Sequence, residues 1–406
     1  MAGKRNITKE DILLKTKLLA EGARVEVKGP PLWQPSIDGF ASNPHIVFDG
    51  CDITAVILPN PRSRLEAIIE GKDVTISDMG ELLGTATLQS RPLWLDRPMD
   101  DGTPLSSAFS YDTAFVATVL TGSRCFAYDA GKTCRYCGLG HTFAQMGPLW
   151  SFSETVQYAQ RQVDATALAI ESGWRGVILL TGGAMPPDRR GQHMTDIFEA
   201  IMERFHERLD ADTLSELQIA PYAFPPDDLG ALHKWKSFGV NSCQFDSEVM
   251  DAAYFKAICP SKGEKKRWHE AQEAAAEVFG RGRGSSSLVV AGIEPMAQLV
   301  EGIEERVSKG VYVQPFAFQS YPDAPMEGML PPSAEWFMEA NEKIADIYIR
   351  YADTFDVDLT EDDRWGYTRR GQSYSPAPSD DERSRRLQEM GKLPPGLPKQ
   401  DGIELA

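Results

Sequence analysis

The sequence predicts an α/β chain whose main body is a (β/α) barrel, partial or complete, of about six units, with a β-rich N-terminal extension and an irregular C-terminal tail. Three observations predict it. Strand-like and helix-like segments alternate strictly from Thr113 to Tyr351, and such alternation calls for parallel strands, which need long crossover connections. The strand runs are short and rich in β-branched and aromatic residues, whereas the segments between them carry helical periodicity. No G-x-G-x-x-G follows the first strand and no G-x-x-x-x-G-K-[ST] occurs anywhere, which argues against a two-halved dinucleotide fold and a P-loop.

In chain order, residues 1–20 read as an amphipathic helix, with Ile12, Leu13, Leu14, Leu18 and Leu19 near helical spacing. Residues 1–111 form the extension. Its β-like runs (ARVEVKG, PHIVFDG, ITAVILP, DVTISD, GTATLQS) are separated by Gly, Pro, Asn and Asp, with one helical piece at Arg62–Glu70 and with Trp33 and Trp94 as core residues. The barrel spans 112–352. Its six strands are Thr113–Leu120, Gly176–Thr181, Leu217–Tyr222, Val240–Phe245, Ser286–Ala291 and Val311–Phe318. The helices that follow them are Ser153–Ser172, Asp196–Leu209, Asp227–Phe238, Lys265–Phe279, Pro295–Lys309 and Ser333–Tyr351. Residues 353–406 turn to Asp, Arg, Pro, Gly and Ser and read as a tail, partly draped over the body through Trp365 and Tyr367 and partly disordered.

Length and 42% hydrophobic content suit one large α/β domain with additions. No stretch approaches the ~18 apolar residues of a membrane span, and the N-terminus has no apolar secretion signal. A cytoplasmic setting, where thiols stay reduced, follows as the expectation. The formal charge of −17 disfavours nonspecific binding to nucleic acid or anionic membrane, though Glu-rich helices alone account for it.

Three of the six cysteines lie in Cys125–His141, CFAYDAGKTCRYCGLGH, spaced C-x8-C-x2-C just past the first barrel strand. Active sites of such barrels sit at the C-terminal strand ends. Cys134 and Cys137 are close enough to chelate one centre, and Cys125 adds a third thiolate. With His141 as fourth ligand, the set suits a tetrahedral zinc in a hydrolase or binding protein. Three thiolates without a required fourth ligand suit instead a four-iron, four-sulfur cluster with one iron open to a substrate or cofactor. Both readings stand on the residues alone. The position inside a large body, which needs no zinc to fold, favours the cluster.

CRYCGLG after the first strand, LTGG after the second and GIEP after the fifth resemble the radical S-adenosylmethionine enzymes, over roughly residues 112–350. Within that superfamily the chain resembles the biotin-synthase-related branch. The long first cysteine gap, PPDD, FGRG and LVVAGIEP are similar to radical enzymes encoded beside nitrilases in bacteria. The resemblance implies a single 4Fe-4S cluster on Cys125, Cys134 and Cys137, with S-adenosylmethionine on the fourth iron. It implies Tyr136 beside the adenine, Gly182 and Gly183 along the methionine moiety, Glu248 at the ribose or amino group, and Gly292 and Ile293 lining the adenine pocket. It further implies a 5′-deoxyadenosyl radical that abstracts hydrogen from a small polar metabolite, and an electron donor such as flavodoxin or ferredoxin. Two features depart from the superfamily: the first cysteine gap is eight residues rather than three, and GGE is replaced by Gly182-Gly183-Ala184. The missing carboxylate leaves Glu248 or a backbone carbonyl such as that of Thr181 to grip the amino group.

His141, Tyr222, Gln244, Asp246, Gln314 and Gln319 are candidate substrate residues because they lie near the cysteines or predicted strand ends. Arg189 and Arg190 could pair with a substrate carboxylate or phosphate but read as solvated, and Lys262 reads as a surface lysine. Cys51, Cys243 and Cys259 read as small buried hydrophobes.

Overall fold

The computed structural model describes residues 4–29, 43–51, 53–89, 92–113, 116–145, 147–356 and 377–393. Trp33, Trp365 and Tyr367 lie outside the described residues.

The first helix, α1 (Lys9–Ala20), starts at a capping box in which the Thr8 hydroxyl accepts from Asp11 N–H and the Asp11 carboxylate accepts from Thr8 N–H. It covers a sheet of β1 (Arg24–Lys28), β2 (His45–Phe48), β3 (Thr54–Val56), β4 (Leu65–Glu70), β5 (Asp73–Asp78) and β6 (Glu81–Leu88), ordered β1-β4-β5-β6-β2-β3. All pairs are antiparallel except β1 with β4. The helix expected at Arg62–Glu70 is a correction: the segment is strand β4. Leu, Glu and Ala favour helix, but Leu65, Ala67 and Ile69 are buried while Glu66, Ile68 and Glu70 are not, a period of two that tertiary packing enforces.

The second sheet runs β7 (Ser110–Thr113), β8 (Val116–Leu120), β9 (Val177–Thr181), β10 (Gln218–Tyr222), β11 (Cys243–Gln244), β12 (Gly282–Ala291) and β13 (Val311–Ala317), in consecutive order. From β8 to β13 every neighbour is parallel, and β7 lies antiparallel on the β8 edge. Among the described residues β13 does not pair back to β7 or β8, so the barrel is open. The long helices are α4 (Phe152–Glu171), α5 (Gln192–Arg208), α9 (Lys265–Phe279), α10 (Met296–Ser308) and α11 (Ala334–Arg350). Shorter ones are α2 (Phe126–Asp129), α3 (Gly140–Gln145), α6 (Ala211–Glu216), α7 (Ala231–Phe238) and α8 (Ala252–Ile258). Strand faces divide by alternation. Ile178, Leu180 and Ile219 join the core under the helices, while Val177, Leu179 and Ala220 pack with Tyr222 on the opposite, lumenal face.

One stretch of the tail, expected to be irregular, is regular. Residues Pro378–Glu389 form α12, buried against α1 and α11. Composition concealed it because its buried side chains are charged and partnered. Lys15 pairs with Asp381, both Asp380 oxygens accept from the Tyr312 hydroxyl at 2.8 Å, and Arg383 lies 3.2 Å from Asp380.

Candidate functional site

The cysteine stretch leaves the end of β8, where Thr121 N–H donates to the Thr181 carbonyl at 2.7 Å and so aligns the two strand ends. Cys125 caps α2, and the next residue's N–H donates to the Ala184 carbonyl at 2.8 Å. The eight-residue gap is thereby accounted for: α2 and a turn through Gly131, at φ 65°, take up the added length before Cys134. Cys134 and Cys137 close a turn in which Cys137 N–H donates to the Cys134 carbonyl at 3.0 Å. That turn is clamped from both sides. Arg135 N–H donates to the Ile258 carbonyl at 2.9 Å, and Met326 N–H donates to the Arg135 carbonyl at 3.0 Å.

The Gly-Gly turn after β9 faces this loop. A Cβ on Gly183 would collide with the Cys125 backbone and stand 2.6 Å from its Cβ, and one on Gly182 would stand 3.1 Å from the Thr121 hydroxyl. At position 183 only a residue without a side chain allows that approach. Gly292, at φ 97°, lies under the Pro332 ring, where a Cβ would stand 2.8 Å from the ring, and Ile293 packs in one apolar cluster with Tyr136 and Ile258.

Cys125, Cys134 and Cys137 are half-buried free thiols. Burial pushes the Cys137 thiol up to about 11, and the charges of Cys134 and Cys125 add to that. Three free, half-buried thiols on one loop are the donor chemistry that a three-thiolate cluster takes. His141 lies in α3, and its side chain is outside those described.

Glu248 follows β11 at φ 63°, a conformation rare outside glycine, and such outliers concentrate at functional sites. Its carboxylate accepts from the Tyr136 hydroxyl and from the Lys262 ammonium. Lys262 also donates to the Asp246 carbonyl at 2.9 Å and sits 4.0 Å from the Trp268 ring centre. Lys262 is thus a correction, buried where a surface lysine was expected. Burial works against its charge, but Glu248 and the nearby thiols outweigh that and hold its pKa above the ordinary value. Burial, then the charge of Glu248, pushes Asp246 up to about 7. One Asp246 oxygen accepts from Gln244 at 3.0 Å and from Leu288 N–H at 2.7 Å.

The expected substrate residues divide. Tyr222, Gln244 and Asp246 come together, and the Tyr222 hydroxyl acts on the Asp246 carboxylate. Gln314 is buried on β13. Gln319 donates to the Leu19 carbonyl at 2.6 Å and so faces α1. Arg189 and Arg190, expected in solvent, are half-buried; Arg189 donates to the Trp150 carbonyl at 2.9 Å and Arg190 lies 4.2 Å over the Phe224 ring. Cys51, Cys243 and Cys259 are buried as expected. The grouping of Lys262 with Glu248 was not visible because a strained backbone at Glu248 and a turn after α8 bring them together.

No family model matches the chain. The bacteriochlorophyllide c C-7(1)-hydroxylase of Chlorobaculum limnaeum is 39% identical over 410 residues, covering 98% of this chain and all of the relative. Among solved structures, the hydrogenase maturase HydG from Carboxydothermus hydrogenoformans is 16% identical with a TM-score of 0.40, covering 60% of this chain and 53% of HydG. Methylornithine synthase (PylB) is 14% identical with a TM-score of 0.40, covering 61% of this chain and 66% of the synthase. The family placement does not rest on these two structures. It rests on identity sustained along the full length of the hydroxylase, itself a radical enzyme of the kind the cysteine loop resembles: the chain belongs to the radical S-adenosylmethionine superfamily and is an enzyme of that class, with a [4Fe-4S] cluster and S-adenosylmethionine as cofactors.

Proposed function

We propose that the chain cleaves S-adenosylmethionine reductively at one cluster held by Cys125, Cys134 and Cys137, and abstracts hydrogen from a small polar metabolite at the mouth of the barrel. The observation that supports it most is the cysteine loop at the end of β8, packed against the Gly-Gly turn after β9. When bound, the cluster supplies one electron to the sulfonium, yielding methionine and the 5′-deoxyadenosyl group that takes the substrate hydrogen.

The protein's part is binding, orientation and exclusion of water. Gly182 and Gly183 leave room for the methionine moiety. Tyr136, Gly292 and Ile293 offer the adenine a mainly apolar surface, and Glu248 is aimed by Tyr136 and Lys262 toward the ribose or amino group. Tyr222, Gln244 and Asp246 present polar groups to the substrate, which favours a polar molecule. The electron comes from a small carrier such as flavodoxin or ferredoxin.

The full-length relative supports a second reading, in which the attacked carbon ends as an alcohol. Incubating reconstituted enzyme with dithionite, S-adenosylmethionine and pooled deuterated metabolites tests both readings. Deuterium in 5′-deoxyadenosine identifies the substrate, and oxygen gained by the product distinguishes hydroxylation. No deuterium transfer from any pool, polar or chlorin-containing, counts against both.

A further inference from the structure

Arg190 hangs on the turn that faces the cysteine loop. Its Nε donates to the Met185 carbonyl at 3.0 Å, and its guanidinium lies 4.2 Å over the Phe224 ring. Both anchors belong to the mouth of the barrel. The Ala184 carbonyl, one residue before Met185, accepts from Phe126 N–H at 2.8 Å beside Cys125, and Phe224 lies two residues past Tyr222, the end of β10. With Nε and one face engaged, the guanidinium keeps its two terminal nitrogens. Among the described residues these donate to no protein acceptor and enter no ion pair. The neighbouring carboxylate, Asp227, would stand 3.8 Å from a Cβ on Gly191; it is exposed, where water screens it. The other cations here are engaged: Lys262 with Glu248, Arg189 with the Trp150 carbonyl at 2.9 Å and Arg267 with the Asp227 carbonyl at 2.6 Å.

We infer that Arg190 binds a carboxylate of the substrate through its two terminal nitrogens, so that the substrate is an organic acid. The inference rests on the radical reading above. The planar fork of a guanidinium meets a carboxylate with two parallel hydrogen bonds. A phosphate dianion would call for a second free cation, and the neighbouring ones are engaged. The stack on Phe224 and the bond to Met185 hold the fork in place before substrate arrives, which lowers the ordering cost of binding. The methionine carboxylate of S-adenosylmethionine carries the same chemistry, and the test separates the two sources.

Deuterated metabolites are split by anion exchange into acid and neutral fractions, and the carboxyl groups in part of the acid fraction are converted to methyl esters. Deuterium transfer into 5′-deoxyadenosine is followed in wild type, R190Q, R190K and D227N at equal iron content. Wild type and D227N are expected to take deuterium from the acid fraction and not from the neutral fraction or the esters. R190Q is expected to raise the KM for the active acid about 10–100-fold, the effect of losing a charge-assisted hydrogen bond, with R190K between. Deuterium taken from the neutral fraction or equally from the esters, a KM in R190Q like that of wild type, or an equal loss in D227N overturns the inference. So does a KM for S-adenosylmethionine that rises in R190Q, which assigns Arg190 to the methionine carboxylate. If R190Q takes up no iron, the ester comparison in wild type decides. 5′-Deoxyadenosine formed without deuterium from the acid fraction overturns the inference alone; no 5′-deoxyadenosine at all overturns the radical reading with it.

Discussion

Lys262 and Glu248 form an ion pair whose side chains are 7% and 9% exposed, with the Tyr136 hydroxyl on the other carboxylate oxygen. Such a pair recovers its desolvation cost only while both partners are present. K262M, which leaves the carboxylate buried and unpaired, is expected to destabilise the cluster-free protein by about 3–5 kcal/mol. K262M with E248Q should recover most of that loss. Urea unfolding of the two singles and the double measures the coupling, and additive losses would show that the pair is not a unit.

Gly183 and Gly182 are adjacent but differ in tolerance. A methyl on Gly183 meets Cys125 backbone at 2.3 Å, whereas one on Gly182 stands 3.1 Å from the Thr121 hydroxyl and 3.3 Å from the Gly122 nitrogen. G183A should displace the cysteine loop and sharply lower iron uptake, while G182A should load nearly as wild type. Iron and sulfide content of the reconstituted proteins gives the comparison, and equal loading would contradict it.

Asp246 is pushed up to about 7 by burial first and by the charge of Glu248 second. A carboxyl whose pKa is higher folded than unfolded keeps its proton in the folded state. Its contribution is complete below about 4, the unfolded value, and is lost as pH rises through about 7. D246N keeps an acceptor for Gln244 and Leu288 N–H but has no proton to lose. Between those limits wild type should lose stability relative to D246N, by no more than about 1.4 kcal/mol per pH unit. Urea midpoints across the range should diverge; parallel profiles would contradict the assignment.

The Lys15–Asp381 pair fastens α12 to α1, with side chains 0% and 4% exposed. D381A strands a buried ammonium and should cost about 3–5 kcal/mol. K15M with D381L should cost far less, since well-packed apolar groups replace buried pairs at little expense. Thermal unfolding of the cluster-free protein distinguishes this from a loosely draped tail, for which all these variants would behave as wild type.

The barrel was legible because buried parallel strands and their helices impose strong, long patterns. Lys265–Phe279 was predicted to its ends. The place of the cysteine loop, just past the first parallel strand, was legible as well. Leu65–Glu70 was not, because its residues favour helix and only pairing with β1 and β5 makes them a strand. Nor was α12, whose buried surface is made of ion pairs and hydrogen bonds with residues such as Lys15 and Tyr312, hundreds of positions away in the case of Asp381. Polar patterning normally marks solvent, and here it marks partners. Lys262 escaped for a similar reason, since its burial depends on the turn after α8 meeting Glu248.

The central claim is that Cys125, Cys134 and Cys137 hold a cluster at which S-adenosylmethionine is cleaved. Anaerobic purification and reconstitution, with metal analysis and a dithionite assay for 5′-deoxyadenosine, tests it most directly. The account predicts brown protein with about four irons per chain, loss of iron in C134A and C137A, retention in H141A, and 5′-deoxyadenosine formed only with the cluster loaded. Colourless protein carrying one zinc that H141A releases, or fully loaded protein that forms no 5′-deoxyadenosine, would contradict it.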